Sequence, residues 1–223
     1  MLDYSGGVFL GTWKPTKGKW NDEENYLMME SVWKSALFFA RDRYNAANAI
    51  LEYNDGLEKR SIPYIEFVLK VLSVFINEIN RKDDIALCVA SLCRVAEKTG
   101  ITLEEIKQHC TPCVFDMLHE FVCTDFTAMD VYLKSVLNSH CSYVVKEVVL
   151  AETLCYLRLE KCPREDWEKD LRYYSSIEDA LDDLDDSYGF LAMKIKEQIL
   201  KNKDISRNRN KTAEELFLGW DDE

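Results

Sequence analysis

Residues that favour turns are scarce in this chain, which has only four prolines and eight glycines among its 223 residues. Sandwiches and barrels join many short strands through Gly- and Pro-rich turns, so this composition argues against them and favours long helices. Positive charge is also in short supply, because 28 Lys and Arg face 40 Asp and Glu and leave a formal net charge of −12. Phosphate contact needs a basic face, so nucleic acid is not an expected partner.

A long apolar run is missing as well. The longest one, residues 67–79, is interrupted by Lys70 and Asn77, and it is shorter than the roughly 20 residues that cross a bilayer. The N-terminus lacks the basic region and apolar core that mark a signal peptide. We therefore expect a cytoplasmic protein with no membrane contact, whose eight cysteines are mostly reduced and buried as small hydrophobes.

Apolar residues at helical spacing extend from about residue 23 to residue 201. They predict an all-α fold in a single domain, residues 23–201, with no convincing strand and no internal repeat. Residues 1–22 form a predicted N-terminal arm whose aromatic side chains pack on the domain or on a partner. Residues 202–223 form a predicted polar tail that ends in a short amphipathic fragment.

Caps and helix breakers predict the boundaries in the first half of the domain. The first helix is expected to reach about Leu51, and Asn54-Asp55-Gly56 then predicts a turn before the charged loop 57–61. The next helix opens with Pro63 in its first turn and extends to about Ile79.

The stretch Asp84–Ile106 lies at the centre of the chain. It predicts a buried helix, a short turn and a second helix, which begins where Thr102 and Glu105 form a capping box. The first of these helices is apolar on nearly every face as far as Leu92, and it then emerges with polar side chains. These are Cys93, Arg94, Glu97 and Lys98. Such a helix is a place where many folds build a functional site.

Four segments carry a resemblance to a known family. They are Ala36–Tyr44, Ile62–Ile65, Ala90–Ile106 and Val149–Arg158, the last of which continues into Pro163–Trp167. Their order resembles that of the RelA/SpoT-type hydrolase domain of the HD superfamily, which removes pyrophosphate from guanosine tetraphosphate. The resemblance covers about residues 33–200. It implies an HD-like helical bundle similar to the small stand-alone alarmone hydrolases.

The residues at the family's functional positions depart from its pattern. The metal-ligand positions of the family fall on Tyr44, Cys93, Arg94 and Glu152, and the catalytic carboxylate pair falls on Glu97 and Lys98. A hard divalent ion such as manganese prefers imidazole and carboxylate ligands, whereas a phenol, a thiol and a permanent cation do not suit it. The loop that receives the nucleotide is also replaced, at residues 48–52. The resemblance therefore implies a pseudoenzyme of this hydrolase family that binds no cofactor.

Arg94 and Glu152 are expected to face each other where the family holds its metal. We predict that they form a bidentate ion pair that fills the space. The alternative is that Arg94 reaches solvent and Glu152 is simply exposed.

Other patterns have competing interpretations. Cys110 and Cys113 lie near His109 and could hold zinc, but no second, correctly spaced pair follows, so core cysteines are the preferred interpretation. The acidic run 178–186 is either a solvated helix face or a docking surface for a basic protein. Its candidate binding residues are Glu178, Asp179, Asp182, Asp183 and Asp186. In the tail, Leu216, Phe217 and Trp220 are candidates for docking on a partner or on the domain itself.

Three functions remain open from the sequence. The preferred one is a catalytically inactive protein-binding pseudo-hydrolase, for which the resemblance offers an antitoxin or immunity protein that covers the basic surface of a toxic small alarmone synthetase. The second is a nucleotide-binding sensor without turnover, although carboxylates repel polyphosphates. The third is a divergent metal-dependent nucleotide pyrophosphohydrolase, which the substitutions at Tyr44, Cys93 and Arg94 disfavour.

Overall fold

The structure is a computed structural model that describes residues 22–122, 129–164 and 166–208. The predicted N-terminal arm and the tail residues Leu216, Phe217 and Trp220 lie outside these ranges. The described part is predominantly helical and forms one domain, which confirms the all-α prediction. The helices in chain order are α1 Asp22–Ala46, α2 Tyr64–Ser73, α3 Asp84–Leu92, α4 Val95–Thr99, α5 Leu103–Lys107, α6 Pro112–Val122, α7 Met129–Leu137, α8 Tyr143–Leu159, α9 Trp167–Asp182 and α10 Gly189–Asn208. A π-helical segment, Val74–Glu78, follows α2, and a 3₁₀ turn, Asp186–Tyr188, precedes α10.

Helix α8 lies at the centre of the bundle, as its apolar sequence predicts. It packs against α2, α3, α6, α7 and α10, and buried side chains occur on nearly every face of it, from Val144 to Leu157. A helix that is apolar all round is stable only when neighbours cover it on all sides. The Ser142 hydroxyl caps its N-terminus by accepting a hydrogen bond from the Val145 backbone N–H at 3.4 Å.

A β-hairpin corrects the prediction that the chain has no strand. Helix α1 ends at Ala46, and residues that were expected to be helix and loop instead form β1 Ile50–Asn54 and β2 Lys59–Pro63. The strands are antiparallel, and their register pairs Ile50 with Pro63 and Asn54 with Lys59. Asn48 ends the helical path with a φ of +49°, and the predicted turn at 54–56 then closes the hairpin, with a φ of +97° that suits Gly56.

The hairpin is held against the end of α8 by two hydrogen bonds of the Asn54 main chain. The Asn54 N–H donates to Glu160 Oε2 at 2.9 Å, and the Lys161 N–H donates to the Asn54 carbonyl at 2.7 Å. A two-stranded hairpin is marginal by itself, so this attachment is what makes it a fixed part of the domain. Sequence periodicity could not reveal it, because both partners come from a distant segment.

The central stretch folds as predicted in its second half. The capping box of Thr102 and Glu105 is present, with the Thr102 N–H donating to Glu105 Oε2 at 2.9 Å. At the other end of the domain, α10 extends to Asn208, beyond the expected end at about Lys201. Asn202 and Ser206 are buried on this added part, so the first residues of the predicted tail belong to the domain.

No helix within the described ranges combines the length and the apolar character that a bilayer crossing requires.

Candidate functional site

Arg94 lies at a break between two helices. Helix α3 ends at Leu92 and α4 begins at Val95, and Arg94 between them has φ −109° and ψ 1° instead of helical angles. The break turns its side chain toward the middle of α8, where Glu152 projects. Both side chains are buried, with only 3% of each residue exposed.

The two side chains form a bidentate ion pair. Arg94 Nε donates to Glu152 Oε1 at 3.0 Å, and Arg94 Nη2 donates to Glu152 Oε2 at 2.7 Å. Parallel hydrogen bonds of this kind are stronger and more specific in direction than neutral ones. The predicted ion pair is therefore confirmed, and the alternative of an exposed Glu152 is wrong.

Further contacts surround the pair. Arg94 Nη1 donates to Glu97 Oε2 at 3.2 Å, and the Cys93 thiol donates to Glu152 Oε1 at 3.6 Å. The guanidinium carbon of Arg94 lies 4.4 Å from the centre of the Tyr132 ring, which places the cation over an aromatic face. The geometry fixes the guanidinium from three directions.

Tyr44, another of the residues that the resemblance singled out, lies in an aromatic cluster beside the pair. Its ring centre is 5.1 Å from that of Tyr64, which in turn lies 5.6 Å from Phe67. All three residues are buried. Phe67 completes the cluster by packing its ring edge-to-face against that of Tyr64.

The titratable groups of this region are poor acids. Burial raises the pKa of the Cys93 thiol well above its usual range, and the Glu152 carboxylate raises it further. Burial likewise raises the pKa of Tyr44 and of Tyr64. Burial is the largest influence on Arg94 and lowers its pKa, but the charge and hydrogen bonds of Glu152 together with Tyr132 and Cys93 outweigh burial, so the guanidinium pKa lies well above its ordinary value. At neutral pH none of these three acids supplies an anionic nucleophile or a general base.

Glu97 and Lys98 lie at the outer edge of the cluster. Lys98 Nζ is 2.7 Å from Glu97 Oε1 and 5.6 Å from the centre of the Tyr64 ring. The Glu97 side chain is 38% exposed. The two cations and the two carboxylates thus balance one another. These four residues are called the Arg94 cluster below: Arg94, Glu97, Lys98 and Glu152.

The donor set does not fit the divalent metal that the family resemblance implies. Both oxygens of Glu152 accept hydrogen bonds from Arg94, and a metal at the same oxygens would meet the guanidinium charge directly. Throughout residues 22–122, 129–164 and 166–208, no group of three or more His, Cys, Asp and Glu side chains is arranged to hold a metal ion. No catalytic step through a metal follows from this arrangement.

The acidic run is less available than its sequence indicates. Lys203 Nζ lies 2.7 Å from Glu178 Oε2, and Lys196 Nζ lies 2.6 Å from Asp182 Oδ1, so helix α10 neutralises two of the five predicted binding residues. The remaining three are exposed at the end of α9 and in the 3₁₀ turn. They are Asp179, Asp183 and Asp186.

The cysteine pattern near His109 is only partly buried. Cys110 is half-buried and its thiol donates to the Ile106 carbonyl at 3.6 Å, whereas Cys113 is exposed. His109 stacks on Phe39 with ring centres 3.8 Å apart. The interpretation as core cysteines is therefore wrong for Cys113.

Sequence reasoning missed Tyr132 and the hairpin. Tyr132 supplies the aromatic face under Arg94 from helix α7, and nothing in its local sequence distinguishes it from an ordinary core tyrosine. Alternation of buried and exposed residues in β1 is weak, but the turn at Asn54–Gly56 between two short extended segments was the signal that could have revealed a hairpin.

Comparison with known protein families gives no matching family model, and comparison with curated proteins gives no significant match either. The hydrolase resemblance of the sequence stays a prediction.

Proposed function

We propose that this protein is a non-catalytic relative of the RelA/SpoT-type alarmone hydrolases that acts by binding another protein. The single observation that carries the proposal is the buried Arg94–Glu152 ion pair, with hydrogen bonds of 3.0 and 2.7 Å, at the positions where the resembling family has metal ligands. A guanidinium cannot leave this position by losing its proton. The helical scaffold then serves to present a protein-binding surface and does not catalyse a reaction.

The charge of the chain indicates what kind of partner fits. A net charge of −12 favours association with a basic surface through long-range attraction. The exposed carboxylates of Asp179, Asp183 and Asp186 offer a local acidic face for such a contact. We propose that the partner is a toxic small alarmone synthetase, whose substrate-binding surface must be basic to hold polyphosphates, and that this protein covers it as an antitoxin or immunity protein in the cytoplasm.

The test combines co-expression with a binding measurement. A small alarmone synthetase is expressed with and without this protein, and growth, synthetase activity and complex formation are measured. We expect growth to be restored, the synthetase to be inhibited and a stable complex to form. The triple variant D179N/D183N/D186N is expected to associate more slowly and with a weaker dependence on salt.

Two controls separate the surface from the old catalytic position. The triple variant E66Q/E104Q/E168Q removes three other exposed carboxylates and is expected to neutralise the synthetase normally. The double variant R94M/E152L, which removes the buried pair, is also expected to neutralise it. Absence of a complex with the synthetase would contradict the partner assignment. Manganese-dependent release of pyrophosphate from guanosine tetraphosphate by the purified protein would contradict the non-catalytic assignment.

A further inference from the structure

A cleft with a basic lining lies between the β-hairpin and the start of helix α9. It encloses about 810 Å³, and a smaller concavity of about 280 Å³ adjoins it, since Arg164 and Lys169 line both. The Arg94 cluster contributes nothing to either lining. The cleft is therefore a separate feature from the degenerate catalytic position.

Cations outnumber carboxylates in this cleft although the whole chain is strongly acidic. The five cations on the two linings are Lys59, Arg60, Arg164, Lys169 and Arg172. The three carboxylates are Glu52, Glu160 and Asp130. The two linings thus carry more cations than carboxylates, in a chain whose net charge is −12.

The walls of the cleft are fixed before any ligand arrives. The hairpin wall is attached to the end of α8 through Asn54, as described above. On the other wall, the Arg164 N–H donates to Asp170 Oδ1 at 2.8 Å, and Asp170 is fully buried. The Arg164 guanidinium lies 4.6 Å from the centre of the Tyr173 ring and 3.6 Å from Asp130 Oδ1. A preformed site loses little conformational freedom when it binds.

The cations of the cleft differ in whether a nearby carboxylate of the protein already balances their charge. Arg60 lies 2.5 Å from Asp55 Oδ2 and 3.0 Å from Glu58 Oε1, so its charge is largely balanced. Lys59 and Arg172, by contrast, form no ion pair with any other residue that the structure describes. They lie on different elements, β2 and α9. Their charges are the ones available to a ligand.

We propose that this cleft binds a small molecule that carries two or more phosphate groups. Its volume falls within the roughly 300–1,000 Å³ that is usual for small-molecule sites. Arginine and lysine are the side chains that recognise phosphate, arginine through paired N–H donors and lysine as a point charge. Cations on two separate elements favour an anion dense enough to meet both, which a diphosphate is and a single carboxylate is not. This inference is independent of the proposed protein partner.

Titration calorimetry tests the proposal with two probes, inorganic pyrophosphate and ATP, both without divalent metal. We expect one binding site on the full chain, and affinity that falls as salt is added. The double variant K59Q/R172Q should weaken binding by about tenfold or more, because a hydrogen bond to a charged group contributes roughly 1.5–3 kcal/mol. Single variants at Lys59 and at Arg172 should each show part of that loss.

The matched control is Lys107→Gln. Lys107 lies on α5, its side chain is 55% exposed, and it forms an ion pair with Glu104. It is expected to bind both probes like the unmodified protein. The proposal is overturned if millimolar pyrophosphate and ATP give no heat of binding, or if K59Q/R172Q and K107Q bind equally well. It is also overturned if an oligoglutamate peptide binds more tightly than pyrophosphate, because the cleft would then be a site for an acidic protein segment.

Discussion

Removing Glu152 is the sharpest test of the buried ion pair. Deleting one partner of such a pair typically costs roughly 3–5 kcal/mol, since the other charge stays buried and uncompensated. Here the lower end applies to Glu152→Ala, because Arg94 keeps Glu97 at 3.2 Å and the Tyr132 ring at 4.4 Å. We therefore expect a loss of about 3 kcal/mol in the free energy of unfolding. For a chain of this size each kcal/mol shifts Tm by about 2–4 °C, so Tm should fall by roughly 6–12 °C.

The double variant R94M/E152L distinguishes a charge effect from a packing effect. It removes both charges and leaves apolar side chains of similar length, so no uncompensated charge remains. Its Tm should be close to that of the unmodified protein and well above that of Glu152→Ala. Thermal unfolding followed by circular dichroism measures all three proteins under the same conditions.

Glu78 and Arg158 provide a matched control pair. They also form a bidentate pair, through Arg158 Nη1 and Nη2 with hydrogen bonds of 2.6 and 2.8 Å, but the side chains of Glu78 and Arg158 are 29% and 37% exposed. Ion pairs that water can reach contribute roughly 0–1 kcal/mol, so Glu78→Ala should lower Tm by no more than about 4 °C. Equal losses in Glu78→Ala and Glu152→Ala would refute the reasoning, as would an R94M/E152L variant no more stable than Glu152→Ala.

Three other substitutions have defined outcomes in unfolding experiments. Burial raises the pKa of Glu160 in the folded protein, so its neutral carboxyl group favours folding at low pH, and that stability is lost as pH rises through the folded pKa. The Tm of Glu160→Gln should therefore rise relative to that of the unmodified protein between pH 4 and pH 7. A Tm difference that stays constant over this range would contradict this. Gly56→Ala should lower the free energy of unfolding in urea by about 1–3 kcal/mol, because the φ of Gly56 is +97° and a Cβ there would lie 3.1 Å from Ile205. Gly189→Ala is the control and should leave this free energy unchanged, because the space around Gly189 is open. Thr102→Ala should lose about 1 kcal/mol through the capping box, and an unchanged urea midpoint would show that the cap contributes nothing.

The site could be predicted from the sequence only in part. The ion pair of Arg94 and Glu152 was predictable because the family resemblance aligned two segments that are distant along the chain. Its aromatic support was not, since Tyr132 comes from helix α7, which carries no motif. The phosphate-binding proposal was not predictable at all, because its cations come from β2, the loop after α8 and the first turns of α9.

For the acidic run, the sequence predicted more than the structure shows. Six carboxylates between residues 178 and 186 predict a continuous acidic surface. Lysines of α10 neutralise Glu178 and Asp182, which leaves a smaller face. A count of charges along one helix leaves out the charges of the neighbouring helix, whereas the electrostatic potential at the surface depends on both.

The sequence by itself determined the helical class of this protein, the central position of α8 and the capping box that starts α5. These features depend on interactions within a few residues or on a run of apolar side chains, and both are visible along the chain. Only the tertiary structure decided that residues 50–63 form a hairpin and that side chains of α4, α7 and α8 enclose the Arg94 guanidinium. Those outcomes depend on partners far apart in sequence, such as Asn54 with Glu160, and the local preference of either segment does not specify such a pairing.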